Sequence, residues 1–219
     1  MTTLPNSSNK TARATLLALA LVCVLGGTAL YQGTMGLRVV STEDGRRLDI
    51  RERPRALPAA SIHLPQPSTL HAALQGDGRV AIVAFMYTSC NAVCSVLGSE
   101  FQQLQAEIRA RGLQRQVRLL SISFDPRDTP AVLAAYAANN KAEAGLWQFV
   151  SVDDAAQRRR LLDAFGIVVL PAPLGEFQHN AAFHLVGADA RLMRVDDFDR
   201  PASALEHALT LARQAGRLL

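Results

Sequence analysis

The sequence predicts an α/β domain with a central mixed sheet, carried behind a single N-terminal transmembrane helix. Three observations lead there. Residues 14–37 hold no charged side chain. The apolar, β-branched runs 80–88, 117–124 and 146–152 alternate with stretches of helical periodicity. Two strand-like segments, 181–187 and 191–198, then precede a last amphipathic stretch, which makes a β-α-β-α-β unit followed by a hairpin and a helix.

The elements follow in order. Residues 1–13 read as a cytoplasmic tail and 14–36 as the membrane anchor, because roughly 20 apolar residues cross a bilayer as a helix. Lys10 and Arg13 flank the apolar run on its N-terminal side. They predict a single-pass protein of the bacterial inner membrane, N-terminus in, with everything after Arg38 on the periplasmic side and membrane lipid around the helix. A retained anchor is expected over a cleaved signal, although GTA at 27–29 has the small residues of a cleavage site. Cys23, inside the run, reads as a small hydrophobe. Residues 37–67 are expected to form a juxtamembrane hairpin and linker: LRVVS (37–41) and RRLDI (46–50) flank TEDG, and 53–67 carries Pro54, Pro58, Pro65 and Pro67 without periodicity. The basic run 46–55 suits a solvated segment near anionic headgroups. The net charge of +4 has no long basic block and little aromatic interleaving behind it, so no nucleic-acid partner is expected.

Residues 68–219 form the main domain. VAIVAFMYT (80–88) has the continuous apolar character of a central strand buried on both faces. Leu97, Phe101, Leu104 and Ile108 fall at helical spacing, with Gly112 as the stop. VRLLSISF (117–124) is a second buried strand. Thr129-Pro130 opens a helix with a capping residue and a proline at the first helical position. LWQFVSV (146–152) is a third strand and 153–166 a helix ending at glycine. Residues 181–187 and 191–198 pair as a hairpin, and 201–216 closes the chain as an amphipathic helix. A thioredoxin-like fold is the leading architecture.

The chemistry centres on FMYTSCNAVCS (85–95). Cys90 and Cys94 are the only cysteines outside the apolar run, too few for a disulfide-stapled domain, so they are expected to serve chemistry. They lie where the first core strand hands over to its helix, at the carboxyl ends of the strands, where open α/β sheets place their sites. Cys94 belongs in the first helical turn, whose unpaired N–H groups and partial positive charge stabilise a thiolate. On spacing alone the pair is a disulfide, a redox couple or part of a metal site.

AFMYTSCNAVCS, then SISFDPRDTPAVLAAY (121–136), then QHNAAFHLVGADARL (178–192) together resemble the Sco/SenC family, in three ordered blocks over residues 68–219 with an N-terminal anchor ahead of them. The stretch from Asp128 to Tyr136, DTP-x-x-L-x-x-Y, is the most distinctive block. The resemblance implies a membrane-anchored, thioredoxin-like copper protein that assists cytochrome c oxidase assembly, with one copper ion, Cu(I) or Cu(II), bound by Cys90, Cys94 and His179. His184 would face the other side of a regular strand and reads as a surface or core residue. His63, His71 and His207 read as solvated. Asp128 or Thr129 caps the helix that follows, and Asp125 is a candidate to orient a ligand or to form the loop. The chain departs from the family pattern at Asn91 and Ser95, where prolines are usual, at Ser89, and in a loop one residue shorter than DP-x-x-DTP.

Two thiolates and an imidazole are a soft three-donor set that suits copper better than structural zinc, which closes with four protein ligands. The expected function is therefore a copper-binding assembly factor delivering its ion to a copper-containing oxidase subunit or another copper client. The alternative is a thiol–disulfide oxidoreductase in which Cys90 and Cys94 exchange with the cysteines of such a client. A peroxidase ranks below both, because it needs neither a close cysteine pair nor a distant histidine.

Overall fold

The computed structural model describes residues 7–34, 36–39, 41–63, 67–90 and 93–216, which divide into two compact units, 1–49 and 50–219. In the first, helix α1 (Ser7–Gly33) includes Thr11–Gly33, long and apolar enough to cross a membrane, with Leu16, Leu17, Val22 and Leu30 exposed along it.

The hairpin expected over 37–50 is instead helical: α2 runs from Thr42 to Glu52. Its cause is local. The Ser41 hydroxyl accepts from Asp44 N at 3.1 Å and donates to Asp44 Oδ2 at 2.7 Å, capping the first turn. Glu43 then pairs with Arg46 at 2.7 Å and Arg47 at 2.9 Å, one helical turn on. These bonds outweigh the turn tendency of Asp44-Gly45.

The stretch read as a linker also contributes structure: β1 (Arg55–Ala56) is an edge strand of the main sheet, and β2 (Ser61–His63) pairs with β3 (Pro67–Thr69). The core elements follow: α3 (Leu70–Asp77), β4 (Val80–Met86), α4 (Val93–Ala110), β5 (Val117–Ser123), α5 (Pro130–Asn139), β6 (Trp147–Ser151) and α6 (Ala155–Phe165). A small antiparallel ribbon of β7 (Val169–Pro171) and β8 (Phe177–His179) comes next, then β9 (Phe183–Val186), β10 (Arg191–Asp196) and α7 (Pro201–Ala215).

The main sheet has the order β1-β10-β9-β4-β5-β6. β4, β5 and β6 are parallel, whereas β9 runs antiparallel to β4 and β10 antiparallel to β9, so the sheet is mixed, as expected. All seven residues of β4 and all seven of β5 are buried, which their unbroken apolar pattern requires. Alternate residues serve opposite faces. Val80, Ile82 and Ala84 join Leu97, Phe101, Leu104 and Ile108 of α4 and Ala204, Leu205, Ala208 and Leu209 of α7. Ala81, Val83 and Phe85 join α3, α6 and the segment around Cys90 on the other face. Phe101 sits at 5.4 Å from the Trp147 ring and 5.5 Å from Phe183, so it carries the α4 face; truncating such a ring costs about 3–5 kcal/mol.

The local signals hold at the helix ends. The Thr129 hydroxyl accepts from Val132 N with Pro130 in the first turn, and Gly166 closes α6 at φ 69°. Asp128 is left for another task.

Candidate metal centre

Cys90 lies just beyond β4 and is buried, its N–H donating to Tyr87 O at 3.4 Å. Cys94 is the second residue of α4, the first-turn position its spacing predicted. Asn91 and the side chains of Cys94 and Ser95 fall outside the described residues.

The loop that delivers Cys90 is held by Asp128. This buried carboxylate accepts from Thr88 N at 2.8 Å, Thr88 Oγ1 at 2.5 Å and Ser123 Oγ at 2.6 Å. Asp128 is thus an anchor between the ends of β4 and β5, and the cap of α5 is Thr129.

His179 is the last residue of β8, on the ribbon that precedes β9. Val169 pairs with it across the ribbon. Asn180 fixes the base: its Oδ1 accepts from Val168 N at 2.7 Å and its Nδ2 donates to Gly166 O at 2.9 Å. His179 Nδ1 donates to Asn180 O at 3.0 Å, since a carbonyl only accepts, and that tautomer leaves Nε2 as the nitrogen with the lone pair. Burial lowers the affinity of the ring for a proton, the Asn180 carbonyl opposes this, and the net shift is downward, toward the neutral form that binds metals.

Cys90 and His179 both neighbour Tyr87. The His179 ring lies 5.0 Å from Phe124 and 6.3 Å from Tyr87. Tyr87 packs edge-on to Phe177 at 5.3 Å and donates to Glu176 Oε2 at 2.6 Å, while Phe177 N donates to its oxygen at 3.1 Å. Burial first, then the Glu176 carboxylate and the neighbouring Cys90 thiol, keep the Tyr87 phenol well above its ordinary 10.0, so it stays protonated. Tyr87, Glu176, Asn180 and Asp128 as a strand-end anchor were not read from the sequence. For Tyr87 the signal was its place three residues before Cys90 at the end of the apolar run.

The Asp125 carboxylate is engaged by Arg127 Nη2 at 2.6 Å and Nε at 2.9 Å. His184 is fully buried against Phe85 and Phe165. His63 pairs with Asp153 at 3.2 Å and His207 with Asp196 at 2.9 Å, so neither is merely solvated, and His71 Nδ1 is buried. Among the described residues no three His, Cys, Asp or Glu side chains form a metal-binding group. The donors that the site presents, a thiol and an imidazole Nε2 whose ring Nδ1–H is engaged, are of the kind that copper takes.

A mixed sheet flanked by helices, with a cysteine pair at the strand-to-helix handover, defines a thioredoxin-like thiol protein. The chain belongs to the SCO1/SenC family, whose model matches residues 69–213. It is 30% identical to the SCO1 protein homolog of Bacillus subtilis (strain 168) over an aligned stretch of 121 residues, the match covering 53% of this chain and 61% of that relative. Among solved structures, BsSco, a member of the Sco family of cytochrome c oxidase assembly proteins in which a disulfide switch was identified, superposes with a TM-score of 0.59 at 24% identity, covering 73% of this chain and 96% of that one. ScoI of Bradyrhizobium japonicum, solved with copper bound, gives 0.57 at 22% identity, covering 71% and 99%. These likenesses establish the thioredoxin-like fold.

Proposed function

We propose that this protein is a copper-binding assembly factor. It holds one copper ion through Cys90, Cys94 and His179 outside the membrane and passes it to a copper-bearing oxidase subunit. The observation that carries this reading is the convergence of Cys90 and His179 on Tyr87 from segments far apart in the chain. A lone structural histidine would not need its Nδ1–H fixed on a carbonyl and its ring set beside a cysteine loop. The copper-bound ScoI structure supports the choice of metal.

The donor set suits holding and release. Thiolates favour Cu(I) and imidazole tolerates Cu(II). Three protein donors leave room for an incoming ligand from the client to join before one of them departs. Cys94 stands in the first turn of α4, a position at which helical N–H groups favour the thiolate that binding requires.

A second reading shares the residues, and the disulfide switch in BsSco favours it. One thiolate of the Cys90/Cys94 pair attacks a client disulfide, forming a mixed disulfide and releasing a client thiolate. The other thiol, losing its proton, then attacks the first cysteine and frees the second client thiolate. The client is reduced by two electrons and the pair is left as a disulfide.

Copper competition separates the two. The full chain in detergent, reduced, is titrated against a chromophoric Cu(I) chelator beside Cys90→Ser and His179→Ala. One tightly held ion, weakened in both variants, supports delivery. Binding indifferent to His179, with a Cys94→Ser variant that traps a mixed disulfide in membranes, would favour exchange alone.

A further inference from the structure

Asp125 is buried and Arg127 is not: their side chains are 1% and 55% exposed. Exposed ion pairs contribute little to stability by themselves. This one is unusually constrained, because Asp125 Oδ1 accepts from Arg127 N at 2.9 Å while both carboxylate oxygens accept from Nε and Nη2. The fork holds the guanidinium in one orientation. So held, Arg127 Nη2 donates to Gly175 O at 2.8 Å, and the guanidinium carbon stands 5.6 Å from the centre of the Phe177 ring. Gly175, at φ +76°, permits the approach; a Cβ there would meet Arg127 Nη1 at 3.2 Å.

The tip of the ribbon is thereby tied down two residues before Phe177 and four before His179. Phe177 and His179 share a face of β8 by the two-residue period, and both rings rest on Tyr87 and Phe124. The adjoining Asp128 holds the Cys90 loop through Thr88. One short loop, 125–128, therefore grips both ligand-bearing segments.

We propose that Arg127 is a positioning residue for the third metal ligand: pinned by Asp125, it latches the β7–β8 ribbon so that His179 stays at the wall it shares with the Cys90 loop. The inference rests on the copper reading above and adds a residue that touches no metal.

The test uses the full chain in detergent with Arg127→Ala, Arg127→Lys, His179→Ala and the Arg127→Ala/His179→Ala double variant. Cu(I) affinity is measured by chelator competition, and nitrogen hyperfine structure in the Cu(II) electron paramagnetic resonance spectrum reports the imidazole. Arg127→Ala is expected to weaken copper binding by about tenfold to a hundredfold, the range for partners that orient a ligand. It diminishes the nitrogen signature, and the double variant binds no more weakly than His179→Ala alone. Lysine reaches the Gly175 carbonyl without the fork and gives intermediate values; it carries the test if the alanine variant does not fold.

Wild-type affinity and spectrum in Arg127→Ala, or losses that simply add in the double variant, would overturn the proposal. Amide exchange over 175–179, followed without copper, separates the two possible failures. Faster exchange in Arg127→Ala together with a His179→Ala variant that binds like wild type means that the latch exists but the three-ligand reading fails, and the positioning role with it. Unchanged exchange removes the latch even where copper binds through His179.

Discussion

The Tyr87 hydroxyl bonds Glu176 and the Phe177 backbone across 89 positions of sequence, so a single atom at the end of β4 ties the ribbon to the cysteine loop. Tyr87→Phe keeps the ring and removes the hydroxyl's bonds to the Glu176 carboxylate and to the Phe177 backbone. A loss of about 2–3 kcal/mol in equilibrium denaturation is expected, and an unchanged midpoint would show the bonds to be idle. Asp77 illustrates the opposite end of the sheet. Burial pushes its carboxyl up, but Arg79 at 2.6 Å and Arg118 at 3.2 Å outweigh burial and hold it below the ordinary 3.8. Asp125 is lowered in the same manner, with Arg127 outweighing its burial. A folded-state pKa below the unfolded one gives stability that is present above the unfolded value and lost as pH falls through the folded one. The urea midpoint should therefore hold between pH 7 and about 5 and fall below about pH 4. Asp77→Asn, weaker at neutral pH, should show a shallower fall.

At the scale of elements, the loop between β5 and α5 positions its neighbours through Asp128. Asp128→Ala strips three acceptor contacts and leaves the Thr88 N–H without its partner, with an expected cost of about 3 kcal/mol in denaturant titration. Amide exchange at Thr88–Cys90 should rise ahead of that in β5. Much of this layer was legible beforehand, for physical reasons. Unbroken apolar runs such as 80–86 and 117–123 have one stable home, the centre of a sheet covered on both faces, and Thr129-Pro130 and Gly166 announce helix ends in their own chemistry. What escaped was short or decided by contact. β7 and β8 have three residues each, with Pro171 and Pro173 in or beside them, and no period can be read over so few positions. α2 escaped because Asp44-Gly45 looks like a turn until Ser41 and Glu43 are seen to satisfy the helix. The candidate ligand residues were named by resemblance; the bonds of Tyr87, Asn180 and Arg127 around them depend on partners no local pattern names.

For the molecule as a whole, α1 is expected to keep the protein in the bilayer. After an alkaline carbonate wash of membranes the intact chain should remain in the pellet, and a soluble form shortened at its N-terminus would instead show that a leader is removed. The distance in sequence between the site's components has its own consequence. The cysteine segment comes early, the 125–128 bracket in the middle and His179 late, on a ribbon reached only after α6 has closed. On the proposed ligand set, a chain still being synthesised can offer copper the two sulfurs but not the imidazole. Full coordination is then a certificate of completed folding: ions taken up by half-made chains are held by fewer donors and exchanged more readily, and the pool of firmly loaded protein consists of molecules whose sheet has already closed.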